Sequence, residues 1–340
     1  MTAYFARRLL LVLPTFLGVT LMVFAITRFV PGGPVERMIA QAQQMAADGK
    51  AGGTDRVGSA ALSESQIQEL KEYYGLDKPL LISYAQWLWK VFHLDLGMSS
   101  RYNEPVWGLI KDRFPVSIFF GLMTLILTYS VCIPLGVIKA VRHRTTMDNA
   151  TSIFVFIGYA IPNYVVGILL LILFSSYWEI FPLSGFTSSD FPDMTTWGKL
   201  KDLAWHTTLP LIAYMASSFA VTTFLTKNSL MDNLAADYVR TAIAKGLDFR
   251  RAVLRHALRN SMIPIATHFG NEISRVLAGS FLVETIFNIN GFGLLGYESV
   301  VERDYPVVMG ILVISSLLFL FGNILSDVCV AVVDPRVKFQ

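Results

Sequence analysis

The sequence predicts an all-α integral membrane protein of six transmembrane helices, with a large segment outside the membrane after the first. Of the 340 residues, 54% are hydrophobic and only 16% charged, whereas a soluble domain carries about a quarter charged residues. Apolar runs recur near the length of about 20 residues that crosses a bilayer core, and Lys and Arg gather on alternate short connections. The net charge of +3 excludes a nucleic-acid binder, whose charge would be strong and collected on one face.

The first span covers about residues 9–28, behind Arg7 and Arg8. Its apolar stretch is long, it has no clear small-x-small cleavage site and further spans follow, so it reads as an uncleaved anchor rather than a signal peptide. The second span is about 116–138 and the third about 152–178, interrupted by Pro162. A proline inside a span frees a carbonyl that neighbouring helices or water must satisfy. The fourth, fifth and sixth spans are about 208–225, 263–283 and 307–330.

Loop cations give the orientation. Arg7 and Arg8 precede the first span; Lys139, Arg142 and Arg144 follow the second, the stretch from Lys227 to Arg259 follows the fourth, and Arg336 and Lys338 follow the sixth. The alternate short loops hold only Lys199, Lys201 and Arg303. Both termini are therefore expected in the cytoplasm.

Three regions follow: residues 1–30 with the first span, an external segment 31–113, and a five-helix core 114–340 with a cytoplasmic loop at 226–262. In the external segment GKAGG (residues 49–53) reads as a flexible insertion. Ser63, Glu64, Ser65 and Gln66 then resemble a capping box, and Leu62, Ile67, Leu70 and Tyr73 or Tyr74 fall near one helical face. An ordered external cap is expected.

No metal site is expected, because the five histidines show no HExxH or other ligand spacing. Cys132 and Cys329 sit in apolar runs and read as small hydrophobes rather than a disulfide pair. No GxxxxGK[ST] phosphate loop occurs, so any ATP must be bound by another chain, and no cofactor is expected on this one.

The stretch YVRTAIAKGLDFRRAVLRHALRNSMIP (residues 238–264) carries six Lys/Arg against one Asp between two apolar runs. Gly246 would cost about 1 kcal/mol relative to alanine within one helix, so two short helices meeting at Gly246 and Leu247 are predicted. The first would run over about 233–245, capped by Asn233 or Asp237; the second would start near Asp248, an acceptable N-cap, and run toward Pro264. Thr241, Ala242, Ala244 and Gly246 offer a small-residue surface that lets another protein approach closely. A basic helix lying on anionic lipid is the competing reading of the same residues.

In the fifth span His268, Glu272, Arg275 and Gly279 lie at offsets of four, three and four, on one helical face. Charge at mid-membrane costs roughly 2.5–3.5 kcal/mol, so this stripe should face the bundle interior. There it either lines a polar path or holds a Glu272–Arg275 pair that locks the helix to a neighbour.

DYVRTAIAKGL (residues 237–247) followed by RRAVLRHALRNSMIP (residues 250–264) resembles the cytoplasmic coupling loop of the inner-membrane permeases of bacterial binding-protein-dependent ABC importers, in the peptide and nickel branch. Arg240, Thr241 and Ala242 stand where the general pattern has Glu-Ala-Ala, Gly246 is kept, and Pro264 falls five residues late, departures that the peptide branch shares. The resemblance covers nearly the whole chain: RRLLLVLPTFLGVTLMVFAITRFVPGGP (residues 7–34) is similar to the start of B-type peptide permeases, with Pro-Gly-Gly-Pro for the usual Pro-Gly-Asp-Pro. YGLDKPLLISYAQWLW, DLGMS, RFPVSIFFGL and HTTLPLIAY continue it. ETIFNINGFGLLGYESVVERDYPVVMG (residues 284–310) closes it, and its Asn-Gly-Phe-Gly resembles the Yej-type members.

The resemblance implies a pore subunit paired with a second, homologous permease as a heterodimer, two ATPase subunits that bind the ATP, and a periplasmic substrate-binding protein, in the bacterial inner membrane. Arg240, Thr241, Ala242, Ala244, Lys245, Gly246 and Leu247 would then seat in an ATPase groove. The external cap and ERDYP (residues 302–306) would be surfaces for the binding protein. An ion-coupled secondary transporter lacks support because no internal repeat is evident. A membrane sensor or scaffold would need no transport path, and an intramembrane enzyme would need a nucleophile and base or a metal cluster that the sequence does not show.

Overall fold

The computed structural model describes residues 2–29, 68, 72, 77–277 and 279–333. The glycine-rich insertion, the capping box, the residues of the helical pattern (62, 67, 70, 73 and 74), and Arg336 and Lys338 lie outside the described residues. Every regular element among those described is helical. In chain order these are α1 (Thr2–Phe29), α2 (Leu80–Phe92), α3 (Val106–Val141), α4 (Thr146–Ala160), α5 (Asn163–Leu170), α6 (Thr196–Leu234), α7 (Asp237–Ala244), α8 (Phe249–Ala252), α9 (Leu258–Leu277), α10 (Phe281–Ile286), α11 (Phe292–Val301) and α12 (Tyr305–Val333). A π-helical stretch, Leu171–Tyr177, extends α5, and another, Val253–Ala257, joins α8 to α9.

Among the described residues α1, α3, α6 and α12 are long and apolar enough to cross a membrane, and α4 with α5 makes a fifth candidate. The third span is sharply broken, because α4 and α5 meet at 101°. Ile161 precedes Pro162 and is extended, at φ −93° and ψ 125°, since the proline ring disfavours the helical region for the residue before it. The fifth span also departs from its expected bounds. α9 begins at Leu258 and ends at Leu277, and Gly279, at φ +77°, turns the chain before α10. α9 lacks the apolar length of the other spans because Arg259, His268, Glu272 and Arg275 interrupt it.

The chain divides into two compact units, Met1–Leu11 with Arg113–Leu295 and Leu317–Gln340, and Val12–Asp112 with Gly296–Ser316. In the first, α6 is central and packs on α4, α5 and α9. Phe120 of α3, Leu209, Ala213 and Tyr214 of α6, and Val283, Phe287 and Ile289 build one core. Small residues bring backbones close, as is usual where helices pack in lipid: a Cβ on Gly136 would lie 2.6 Å from that of Thr226, and one on Gly270 would collide with the Ser326 backbone. Cys132 is buried and Cys329 half-buried, and both are free thiols.

In the second unit α2 lies along α1. Tyr84 donates to the Leu17 carbonyl at 3.1 Å and bonds Thr20 at 2.9 Å, and Arg28 donates to Ser83 and to the Lys78 carbonyl. The loop before α3 is pinned to α12 by Asp304. This residue is 1% exposed and accepts from the Ser99 hydroxyl at 2.5 Å and from the backbone amides of Ser100 and Arg101, each at 3.2 Å.

One ionic cluster ties α3, α4 and α6 together. Asp148, in the first turn of α4, is 3.0 Å from Lys139 Nζ and 2.8 Å from Lys227 Nζ. Lys139 is fully buried and also donates to the Asp148 carbonyl, Thr151 and Ser152. A buried ammonium is costly unless paired and hydrogen-bonded, so the carboxylate makes both lysines tolerable. Asp148→Asn should therefore destabilise the protein by about 3–5 kcal/mol, the cost of stranding a buried charge, and Lys227→Met in the same chain should recover part of that. Thermal unfolding of the detergent-solubilised variants checks both.

Candidate functional site

The basic stretch breaks at Gly246 as the sequence predicts, but only α7 is a separate short helix: the second helical run starts with α8 and continues through the π turn into α9 as far as Leu277. α7 starts at Asp237, and neither Asn233 nor Asp237 caps it: Ala236 occupies the extended N-cap position without a side-chain bond. Asn233 belongs to the last turn of α6, where its amide donates to the Ser229 carbonyl at 2.8 Å and its oxygen accepts from Tyr238 at 2.6 Å. Asp248 does cap α8, accepting from the amides of Arg250 and Arg251.

Between the two helices Gly246 takes φ +90°. Its amide bonds the Ile243 carbonyl at 2.9 Å, and the Leu247 amide bonds the Ala242 carbonyl at 3.1 Å. That pair of bonds is a Schellman motif, in which the left-handed residue is usually glycine because it has no Cβ to clash. The turn fixes where α7 ends and leads the chain into α8.

Val239, 1% exposed, anchors α7 in a core made with Ala140 of α3, Leu230 of α6, Ala252 of α8 and Val253 and Ala257 of the π turn. On the opposite side Arg240, Thr241, Ala244, Lys245 and Gly246 are exposed, while Ala242 and Leu247 are half-buried. Arg240 reaches only the solvated Asp237, at 3.9 Å, so its charge stays at the surface. Sequence reasoning missed three apolar members of this surface: Tyr238, Ile243 and Phe249 are 40%, 40% and 49% exposed. Tyr238 and Phe249 stand at the starts of the two helices, where counting only cations and small residues passes them over.

Of the stripe on α9, His268 and Glu272 stand one turn apart, and their contacts tie α9 to α6 and α3. Glu272, 2% exposed, accepts from Ser218 of α6 at 2.5 Å and lies 3.7 Å from His268 Nε2. His268 Nδ1 faces the Tyr129 hydroxyl of α3 at 3.4 Å. The imidazole is 22% exposed against 3% for the Glu272 side chain, so His268 is the more open of the two. The Arg275 side chain lies outside the described residues.

Gly279 has a different neighbour. A Cβ there would collide with the Glu284 carboxylate, and Gly291 and Gly293 wall the same group, with would-be Cβ contacts of 2.6 and 3.1 Å. Glu284, 1% exposed, accepts from the Tyr214 hydroxyl at 3.1 Å and from the amides of Ser280 and Leu294 at 3.3 and 2.6 Å. The glycines leave room for the carboxylate while α10 and the start of α11 fold around it. Within ERDYP the buried Asp304 is turned inward, so it presents nothing to a partner, and Glu302 pairs with Arg101 at 2.8 Å.

Comparison with known proteins bears on the whole length. Residues 132–339 match the family described as binding-protein-dependent transport system inner membrane component. The chain is 42% identical to the peptidoglycan transport system permease protein YejB of Agrobacterium fabrum, over all of this chain and 99% of that one. It is 39% identical to the inner membrane ABC transporter permease protein YejB of Escherichia coli O157:H7 and 34% identical to the dipeptide transport system permease protein DppB of Escherichia coli K12, in both cases over the full length of each chain. With its helical bundle, its apolar spans and the clamped turn around Gly246, this chain belongs to the family of inner-membrane components of binding-protein-dependent transport systems.

Proposed function

We propose that the protein is the pore subunit of an ATP-driven importer that takes peptides or peptide-like compounds from a binding protein and passes them across the bacterial inner membrane. The observation that carries this reading is α7, whose buried side is bolted through Val239 to α3, α6 and the root of α9 while its other side stands exposed. A rigid lever with a close-fitting tip is what transmission of movement from another protein requires. The names of the relatives, which include peptidoglycan and dipeptide transport, support the cargo class.

In this reading ATP is bound and hydrolysed by two separate subunits, and the chain needs no cofactor of its own. Arg240, Thr241, Ala242, Ala244, Lys245, Gly246 and Leu247 seat in a groove of one ATPase, helped by the exposed Tyr238, Ile243 and Phe249. A basic helix held only by lipid would turn its apolar side chains toward the bilayer; here the buried Val239 seats α7 on other helices, which favours a protein partner. Movement of α7 reaches α6 and α9 through their shared core.

The chain crosses the membrane six times, α4 with α5 and α9 completing the count, with both termini in the cytoplasm. A second, homologous permease makes the heterodimer, and the segment 31–113 forms the external cap toward the binding protein. His268 and Glu272, with Arg275 on the same helix and Gly279 in the turn that follows it, mark the part of the chain nearest the path. His268 meets the cargo, Glu272 acts through His268, and Gly279 shapes the outer end of α9.

Two measurements test this. Ala244→Arg adds bulk on the exposed side of α7 without disturbing a helical backbone, so it should reduce uptake about ten-fold or more, a cost above ~1.4 kcal/mol, while the chain still inserts. Gly246→Arg should do the same with added strain from the left-handed turn. Normal transport by Ala244→Arg would remove the coupling assignment. Along the path, a cysteine replacing His268 should react with a water-soluble thiol reagent and be protected by cargo, whereas one replacing Glu272 should stay unreactive. Equal reactivity of the two would remove His268 from the path.

A further inference from the structure

α2 has its polarity reversed for a helix in water. Leu81, Ala85, Trp89 and Phe92, at offsets of four, four and three, form one stripe, and Leu81, Trp89 and Phe92 are 66%, 68% and 63% exposed. Ser83, Tyr84 and Val91 are buried on the other side. A helix on a soluble surface turns its polar residues outward; this one turns Trp, Phe and Leu outward and carries Gln86, Lys90 and His93 in a row beside them. Lys78 donates to Gln86 at 3.1 Å and lengthens that row.

The position of α2 indicates what the stripe faces. Tyr84 reaches Leu17 and Thr20 of α1, and Thr20 stands nine residues before the end of the apolar stretch Ala6–Phe29, about 13 Å along the axis at 1.5 Å per residue. Arg28, at the mouth of that span, donates to Ser83 and to the Lys78 carbonyl. α2 therefore starts level with the end of α1, and its Tyr84 reaches down into the span. Its free side lies at the depth where headgroups meet acyl chains, the zone that Trp and Lys favour. Along α2 runs a cavity of about 930 Å³. Phe24, Trp87 and Met309 line it with apolar surface, and Lys78, Lys90 and Asp95 stand around it.

We propose that α2 is an interfacial helix and that its outward stripe and adjoining cavity take a membrane phospholipid, with acyl chain against Leu81, Trp89 and Phe92 and phosphate beside Lys78 and Lys90. The leaflet is the outer one in the orientation proposed above, and the proposal itself needs only that α1 spans the membrane. It gives the bilayer a grip on the unit that carries Asp304 and the start of α3.

Nitroxide labels test it on the full chain, purified with the subunits that accompany it and placed in nanodiscs of phosphatidylcholine with phosphatidylglycerol. A background of Cys329→Ala removes the accessible native thiol. Labels are attached to Ala85→Cys and Trp89→Cys on the stripe, and to Glu104→Cys on an exposed loop as the aqueous reference. At 85 and 89 the label should collide with oxygen freely and with a water-soluble nickel chelate several-fold less than at 104. Chelate access equal to that at 104 would place the stripe in water and overturn the proposal. Exclusion of both oxygen and chelate would show a protein covering, from this chain or another subunit, and would overturn it equally. Both results are independent of transport activity, so the assignment of an importer subunit stands or falls separately.

Discussion

A single carboxylate sets the architecture of the first unit beneath α7. Asp148 holds Lys139 of α3 and Lys227 of α6 within 3.0 Å, and each lysine lies within a turn of a residue in the apolar core beneath α7: Ala140 beside Lys139, and Leu230 three residues after Lys227. The ionic cluster and the apolar core therefore share the same two helices. The Val239 anchor is rigid because the charges next to it fix the spacing of α3 and α6. In a low-dielectric setting such a cluster is costly when half-satisfied and specific when complete. The hydroxyls of Thr151 and Ser152 complete it for Lys139.

The other described carboxylates of the interior follow the same rule with different donors. Glu272 uses a hydroxyl and an imidazole, Glu284 a phenol and backbone amides, and Asp304 a hydroxyl and backbone amides. Each joins segments far apart in sequence, so each fixes a junction that apolar packing in lipid would leave loosely specified. Glu284 shows the cost in sequence terms: a Cβ at 279 or 291 would collide with its carboxylate, and one at 293 would crowd it.

Much of this was legible in the sequence. Hydropathy gives five of the six expected spans, counting the bent pair as one, because the bilayer admits few solutions, and a glycine between two helical patterns gives the turn at Gly246 with its Asp248 cap. Pro162 marks a break but not its size, since the 101° bend depends on what α4 and α5 each pack against. The start of α7 was misplaced because Asn233 is equally a good cap and a serviceable helix-end residue; its bonds to Ser229 and Tyr238 decide. The partners of Glu272 were hidden because Ser218 is 54 residues away, and no local spacing announces a contact at that range.

The lysines around Asp148 have a history as well as a place. In the orientation proposed above, Lys139 and Lys227 are among the loop cations that orient a chain as it enters the membrane, a time when the nascent spans are separate and the ammonium groups still face water. In the finished protein Lys139 is fully buried and Lys227 nearly so. On that orientation the same charges serve twice, first as a compass for insertion and later as the mortar between helices, and a substitution there would act on biogenesis before it acts on the folded bundle.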